Sequence, residues 1–401
     1  MKTVAIIGGG AAGLMAAYTA AQNTGNRVLL YERQARVGRK LLATGNGRCN
    51  LSNLNAGVGH YHGADPAFVR PALEQLPVND TLELFQSLGL LTVVADEGRI
   101  YPLSDSANSV LDVLRFALDS SGVELRAGAP VTGVKKQKQG FVIETENGID
   151  RADAVIIACG GCAGSKLGGV SDGYTLLQSL GHSRTALHPA LTQITSDSPY
   201  PKALKGVRAE AVITLTLPGR KPVMNRGEVQ FTEKGISGIA VFELSRLVSV
   251  HGKGQISLDF LPGYSEEDIY QFLSRRVENT PQIAGEDLLT GILHNKLGRT
   301  IYRYSGASVE TVAHLTTRNL RDCARACKDF RLNATGTGGI DTAQVTAGGI
   351  KTAEFDPHTM ESRILPGLYA CGEVLDIDGD CGGYNLQWAW SSGHLAGRCA
   401  G

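Results

Sequence analysis

A strand, a glycine-rich turn, a helix and a second strand ending in an acid fill the first thirty-two residues, and together they leave this chain few folds to choose from. Thr3 to Ile7 is a short apolar run, Gly8, Gly10 and Gly13 form G-x-G-x-x-G, and the alanine-rich run after Gly13 has the composition of a helix. Val28 to Tyr31 makes a second apolar strand closed by Glu32, 19 residues beyond Gly13. In such a unit Gly8 allows the tight turn and Gly10 admits a pyrophosphate to backbone N–H groups. Gly13 lets helix and strand pack closely, and Glu32 can accept from ribose hydroxyls. A dinucleotide-binding α/β domain is therefore expected at the start of the chain, without a choice of dinucleotide.

The 401 residues leave room for two or three domains and a large core. The 39 basic and 39 acidic side chains cancel, so no global field favours nucleic acid or a membrane surface. Fifty glycines without a collagen-like period imply many tight turns and close backbone approaches to a ligand. Eight cysteines without framework spacing suit a reducing cytoplasm. Lys2 followed by apolar residues to about Ala21 could imitate an export signal, but the glycines at dinucleotide spacing and the acidic strand end outweigh that reading. No run reaches the ~18 apolar residues a spanning helix needs, so a soluble, cytoplasmic protein is expected.

Further along, Leu111 to Ser120 has a helical pattern and Val123 to Arg126 suits a third strand of the nucleotide-binding sheet. Val131 to Val134 and Phe141 to Glu146 suit a hairpin, and Ala154 to Ala158 a strand buried on both faces. From about Pro189 short strands separated by Pro and Gly turns take over, at Val212–Leu217, Val229–Thr232 and Gln255–Phe260, which suggests an inserted antiparallel or barrel-like unit. From Ser265 helical patterns follow, through Leu288–Leu297, Ser308–Thr316 and Leu320–Phe330. That stretch carries nine basic and nine acidic residues, so it makes no nucleic-acid patch. Glycine-rich texture returns at Gly348, with a strand and turn at Gly367–Glu373 and a helix after Gly382-Gly383-Tyr384-Asn385. The expected architecture is a discontinuous Rossmann-like domain (1–189 and 341–401), an inserted β-barrel domain (190–262 and 331–340) and an inserted helical domain (263–330).

The string from Arg39 to Asn53, R-K-L-L-A-T-G-N-G-R-C-N-L-S-N, resembles the G-R-K-x-x-x-[ST]-G-x-G-R-C-N-x-[ST]-N segment of the BaiN/YhiN-like flavoproteins, also called aminoacetone-oxidase-like FAD enzymes. Ala152 to Gly161 resembles that family's second flavoprotein strand, with Cys159 where Thr is usual. Val345 to Ile350 and Gly372-Glu373-Val374-Leu375-Asp376, running on to Gly382 through Ala389, match its closing segments. Phe231 to Gly238 resembles its barrel motif, with Ile239 in place of a proline, and Cys162 to Tyr174 lacks the usual Ser-x-Pro. The resemblance implies FAD as cofactor, NAD(P)H as a transient co-substrate and no metal. It implies cofactor contacts at Gly8, Gly10, Ala12, Gly13, Glu32, Arg33, Lys40, Thr44, Gly45, Arg48, Cys49, Asn50, Val131, Gly160, Gly161, Gly372, Glu373, Asp376, Gly383, Asn385, Leu386 and Gln387.

The chemistry of the residues agrees with a flavin. A helix opening near Tyr384 would aim the N–H groups of Asn385 to Gln387 at the N1–C2=O edge, where charge collects on reduction. Lys40 and Arg48 can offset pyrophosphate charge. Cys49, which the resemblance puts close to the flavin, is a candidate catalytic proton donor working with flavin N5, or a small packing residue. Cys159-Gly160-Gly161-Cys162 has dithiol spacing, but Cys159 ends a buried strand and packing is the stronger reading. Cys323 and Cys327, one helical turn apart, read as core, and the histidines fit no triad or ligand spacing. An FAD-dependent oxidoreductase is expected, foremost an NAD(P)H-driven reductase of an activated C=C bond. By resemblance the substrate is a bile-acid-like intermediate or uridine in ribosomal RNA, with neither DNA nor membrane as partner. An aminoacetone-type amine oxidase and an RNA-binding factor with structural FAD are the alternatives.

Overall fold

The computed structural model describes residues 1–401, which divide into two compact units, Met1–His188 with Ile340–Gly401, and Pro189–Gly339. In the first, five parallel strands stand in the order Leu368–Ala370, Ala154–Ile157, Lys2–Ile7, Asn26–Glu32 and Glu124–Ala127. The central three carry apolar runs because the sheet is covered by helices Ala11–Ala21 and Tyr384–Ala400 and by the antiparallel strand Gly148–Ala152, and Val4, Ala5, Ile6, Val155, Ile156 and Leu30 are wholly buried.

Helix Ala11–Ala21 packs along the closing helix Tyr384–Ala400. Their seam is made of small residues. A Cβ on Gly393 would lie 2.4 Å from Ala12 O, and one on Gly397 2.4 Å from Ala16 O. Backbone meets backbone along this line, which fixes the last helix of the chain against the first.

The expected hairpin is present as Val131–Lys136 and Phe141–Thr145, but a third strand, Gly148–Ala152, completes the sheet. Its sequence Gly-Ile-Asp-Arg-Ala gives little apolar signal. Asp150 supplies the missing reason, since its carboxylate accepts from Tyr31 Oη at 2.7 Å and pairs with Arg126.

The second unit holds a seven-stranded antiparallel sheet and four longer helices, packed about one apolar cluster. Phe330–Ala334 pairs with Gly254–Asp259 at one edge of the sheet, and Gly336–Thr337 pairs with Ile194–Thr195 at the other. Only Thr335 separates the two segments, so one stretch of chain joins both edges and the sheet must roll into a barrel. Helices Glu266–Asn279 and Thr317–Lys328 each open on a reciprocal capping box, Ser265 with Asp268 and Thr316 with Asn319. Lys328 pairs with Asp259 at 2.7 Å and Arg321 with Glu267 at 3.0 Å, so the balanced charge of this stretch goes partly into ion pairs.

Two expectations fail here. Of Leu288–Leu297 only the end is helical, in Asn295–Tyr304, and Ser308–Thr316 holds a single 3-10 turn. Backbone pairing of Gly285 N–H with Glu310 O and Val312 N–H with Ile283 O ties these residues into facing loops instead. Helix Ile239–His251, between expected strands, gave no sequence signal because its β-branched residues imitate strand composition. Val241, Leu244, Ser245 and Val248 nonetheless form its buried face.

The seam between first and last helices generates a test. Gly397→Ala should lower unfolding free energy by about 1–3 kcal/mol, the usual cost of overpacking, as measured by urea denaturation. Unchanged stability would mean that the closing helix can slide away from Ala16.

Candidate active site

The strand register sets four of the expected cofactor-binding segments at one edge of the sheet. Ile7 lies opposite both Tyr31 and Ile157, and Ile157 opposite Ala370. Gly8, Glu32, Ala158–Gly161 and Cys371–Glu373 therefore leave the carboxyl ends side by side, where open parallel sheets bind ligands. Gly8 takes φ 112°, and a Cβ on Gly13 would sit 1.8 Å from Gly8 O, so the turn and the packing both require glycine. Above Gly10 the space is open, with no atom within 4 Å of where a Cβ would be. Helix Ala11–Ala21 begins there with no side-chain cap and no acid in its first turn, so its first amides point into that space. Gly372 approaches Ala12 so closely that a Cβ would lie 2.9 Å from the alanine methyl.

Glu32 accepts from Gly9 N–H at 2.9 Å and Gln34 N–H at 2.7 Å, and Ala129 N–H donates to Glu32 O at 2.9 Å, two residues before Val131. Arg33 pairs with Asp172 at 3.1 Å near the surface. Gly38 N–H donates to Gly9 O at 2.8 Å, which leads the chain over the glycine turn into helix Arg39–Ala43. There Lys40 Nζ lies 2.9 Å from Glu373 Oε2, while Glu373 Oε1 takes Thr346 N–H at 2.8 Å. Gly161 passes this carboxylate so closely that a Cβ would come within 2.5 Å, beside Gly160 at φ 71°. Asp376 is buried near Gly63.

The string from Thr44 to Asn53 is stitched to the start of the closing helix. Thr44 O accepts from Cys49 N–H at 3.0 Å, across a turn in which Gly45 and Asn46 are left-handed. With its amide oriented to suit its neighbours, Asn50 donates to Ser52 O at 3.1 Å and accepts from Gly383 N–H at 3.3 Å. Asn53 Nδ2 donates to Gly382 O at 2.9 Å, and Trp390 Nε1 to Leu51 O at 2.9 Å. Arg48 points elsewhere, pairing with Asp105 and lying 4.3 Å from the centre of the Tyr101 ring.

Gln387 departs from the expected set. Its N–H donates to Gly383 O at 3.0 Å, and its buried side chain accepts from Ser52 Oγ at 2.6 Å and donates to Leu76 O, Thr81 Oγ1 and Ser391 Oγ. It is a structural tie. The first-turn amides of Asn385 and Leu386 remain the ones that helix geometry leaves without an acceptor inside the helix. The Asn385 side chain clamps Gly379 at both N–H (2.9 Å) and C=O (2.7 Å).

Burial decides how the cysteines behave. Cys49 is wholly buried, and desolvation pushes its thiol up to about 12 against a weaker hydrogen bond from Thr44. Burial pushes the Cys159 thiol up to about 12 as well, and its Sγ lies 3.3 Å from Ile7 O. A thiolate is thus strongly disfavoured at either position near neutral pH. Cys323 and Cys327 are buried in helix Thr317–Lys328, and no group of side chains suitable for a metal is present.

One constellation went unread in the sequence. His60 and His62 both hydrogen-bond to Asp380, at 3.0 and 2.7 Å, beside the first turn of the closing helix. The only sequence signals were a His-x-His pair and an Asp-x-Asp-x-Asp run at 376–380, which become meaningful once the fold brings them together.

A family model described as the HI0933-like protein Rossmann domain matches residues 2–399. The chain belongs to this family. It is 42% identical over 407 aligned residues to a 3-dehydro-bile acid Δ4,6-reductase from Clostridium scindens, covering 100% of this chain and 99% of the relative. It is 32% identical to a ribosomal RNA dihydrouridine synthase from Escherichia coli, over 96% and 95% of the two chains. Among solved structures, a 3-ketosteroid Δ1-dehydrogenase from Sterolibacterium denitrificans matches with TM-score 0.52 and 12% identity over 99% of each chain, a likeness of fold alone. The family and its full-length relatives make this protein an FAD-dependent oxidoreductase. No helix is long and apolar enough to cross a membrane.

The Cys49 environment gives a pH test. Below about pH 8 the thiol is protonated in both folded and unfolded chains, and as pH rises through about 9 the unfolded chain alone loses its proton. The wild type should therefore lose about 1.4 kcal/mol of stability per pH unit from this group between pH 9 and about 12. Cys49→Ala should lack that component, and identical pH slopes in urea unfolding would show that the thiol ionises normally.

A second test concerns the dithiol spacing. Cys159→Thr and Cys162→Ser should each bind FAD and take up the same two electrons per flavin as wild type in anaerobic titration. Uptake of four electrons by the wild type, lost in either variant, would overturn the packing role.

Proposed function

We propose that this protein is an NAD(P)H-driven reductase that saturates a C=C bond conjugated to a carbonyl in a small, bile-acid-like molecule. The observation that carries the reading is the 42% identity, over essentially the whole of both chains, to a protein named for that reaction class. The likeness to ribosomal RNA dihydrouridine synthases supports a second substrate, uridine in RNA, and keeps the same chemistry. In both, hydride adds to the carbon β to a carbonyl and a proton completes the product.

The residues at the sheet edge suit FAD. An uncapped helix N-terminus beside open space over Gly10 fits a pyrophosphate, with Gly8, Gly13 and Ala12 shaping the turn. Glu32 would hold the adenosine ribose, and the backbone at Val131 would border the adenine. Lys40 and Arg48 are each neutralised by a carboxylate, Glu373 and Asp105, so they would orient the cofactor more than offset its charge. Gly160, Gly161, Gly372, Glu373 and Asp376 would line the ribityl chain, and Thr44, Gly45 and Asn50 the ring, with the wholly buried Cys49 packed behind them. When bound, FAD supplies N5 as the hydride carrier. The amides of Asn385 and Leu386, backed by the dipole of the 17-residue closing helix, would stabilise negative charge at N1–C2=O. The chain carries a single G-x-G-x-x-G, so a nicotinamide would visit and leave.

Denaturation of the purified protein should release FAD and no FMN, and Glu32→Ala should weaken FAD binding about tenfold or more, since hydrogen bonds to a charged group are at stake. Under anaerobic conditions NAD(P)H should bleach the flavin and a 3-oxo-Δ4 steroid acid should restore its colour. Reoxidation by uridine-containing ribosomal RNA alone would shift the substrate to RNA. Peroxide production with aminoacetone, without either reoxidation, would sink the reductase reading.

A further inference from the structure

His60 and Asp380 are 320 positions apart and meet because Tyr61–His62 pairs antiparallel with Asp378–Gly379. Asp380 N–H also donates to His60 O at 3.0 Å. The ladder presents both imidazoles to one carboxylate, with His60 Nδ1 3.0 Å from Oδ2 and His62 Nε2 2.7 Å from Oδ1. An ionised carboxylate only accepts, so it fixes the proton on Nδ1 of His60 and on Nε2 of His62. Each ring keeps its other nitrogen for one more proton. With both rings neutral the cluster carries one negative charge, and one added proton makes it neutral.

Three further observations give this arrangement a purpose. Burial raises the Asp380 carboxyl, but hydrogen bonds from His62 and His60 outweigh it and hold the group below its ordinary range, so the carboxylate stays charged. The His60, His62 and Asp380 side chains are 39%, 37% and 24% exposed, open enough to exchange protons with water. The cluster is also tied to the closing helix, since His60 stacks on Tyr384 at 4.3 Å and Asn385 Nδ2 donates to Asp380 O at 3.2 Å. The other titratable or charged neighbours are Tyr384 and Tyr61, whose phenol is driven far up by burial and remains neutral, Asp376 and Asp378, buried on Asp380's own segment, Cys381 next to Asp380, and Arg99, whose Nε lies 3.4 Å from where a Cβ on Gly382 would be.

We propose that His60, Asp380 and His62 form a proton reservoir, which binds one proton from solvent when the cofactor is reduced and releases it to the substrate when the double bond is saturated. This rests on the reductase reading above. A hydride from the nicotinamide would bring two electrons and one proton together, and the Asn385 and Leu386 amides would face the one excess negative charge. An imidazole compensates by taking a proton. In the second half-reaction hydride makes the C–H bond at the carbon β to the carbonyl, and the π pair moves to the α carbon. The stored proton then forms the second C–H bond. One nicotinamide hydride and one solvent proton are consumed for each bond saturated, and the oxidised nicotinamide and the cluster's original charge are recovered.

The test uses the FAD-loaded enzyme, photoreduced anaerobically with EDTA in weak buffer at pH 7 with an indicator dye. Compared with wild type, Asp380→Asn and the His60→Gln/His62→Gln double variant should take up about one proton fewer per flavin. Their reoxidation by a 3-oxo-Δ4 steroid acid should slow by roughly 100-fold, the scale of lost acid catalysis. Variants with bound FAD and unchanged proton uptake would make the cluster a structural clamp and overturn the proposal. Should the variants fail to hold FAD, 15N spectra of the wild-type histidines decide. A new imidazolium signature on reduction supports the reservoir, and identical spectra before and after reduction overturn it. If the wild type leaves the steroid acid untouched, the substrate reading fails while proton uptake still judges the cluster.

Discussion

The contact between the first and last helices is the constraint on which the nucleotide-binding unit depends. Gly393 and Gly397 bring the closing helix against Ala12 and Ala16 at backbone distance. That contact lets a turn formed by the first thirteen residues and a helix start formed by the last eighteen belong to one site. A larger residue at either glycine would lift the helix N-terminus away from the sheet edge. The second unit can be inserted between the two halves because their union relies on this seam and on the parallel pairing of Ala154–Ile157 with Leu368–Ala370. Continuity of the chain is not needed.

The site's electrostatics follow from a similar economy. Lys40 and Arg48, the cations in the most distinctive string of the sequence, each have a carboxylate within ion-pair distance. Partly exposed pairs of this kind contribute little to stability, about 0–1 kcal/mol, so their value lies in placing Glu373 and the 44–53 turn. In the proposed site, positive potential for an anionic cofactor would then come from two helix N-termini, one at Gly10 and one at Gly383. Neither helix has a side-chain cap or an acid in its first turn. Backbone dipoles cannot be lost to titration.

How much of this could be read from the sequence depended on whether the signal was local. Gly8 and Gly13 act within one strand–turn–helix–strand unit, so their spacing carried their role in the turn and its packing. The barrel was expected from its short strands, but its closure through Thr335 is a matter of pairing that no single segment expresses. Helix Ile239–His251 was hidden because Ile239, Val241, Val248 and Val250 are residues of strand type, and tertiary burial of one face overrode that propensity. Gln387 was misread for a related reason. Its position in the first helical turn suggested a free amide, whereas Gly383 is already in place as its acceptor.

The His60–Asp380–His62 cluster marks the limit of that reading, and the cysteines explain why it matters. Cysteines draw attention in a flavoprotein sequence, yet a thiol loses acidity when it is desolvated without a nearby cation. Cys49 and Cys371 sit in such places, and at Cys159 burial, with Asp172 and Glu32, outweighs the Arg33 cation. His60 and His62 are placed differently, since both hydrogen-bond to one carboxylate and both are partly open to water. Proton chemistry therefore moves from the residues that looked reactive in the sequence to three that looked ordinary. Asp380 had no meaning until Asp378 was paired with His62, and His60 had none until it lay against Tyr384.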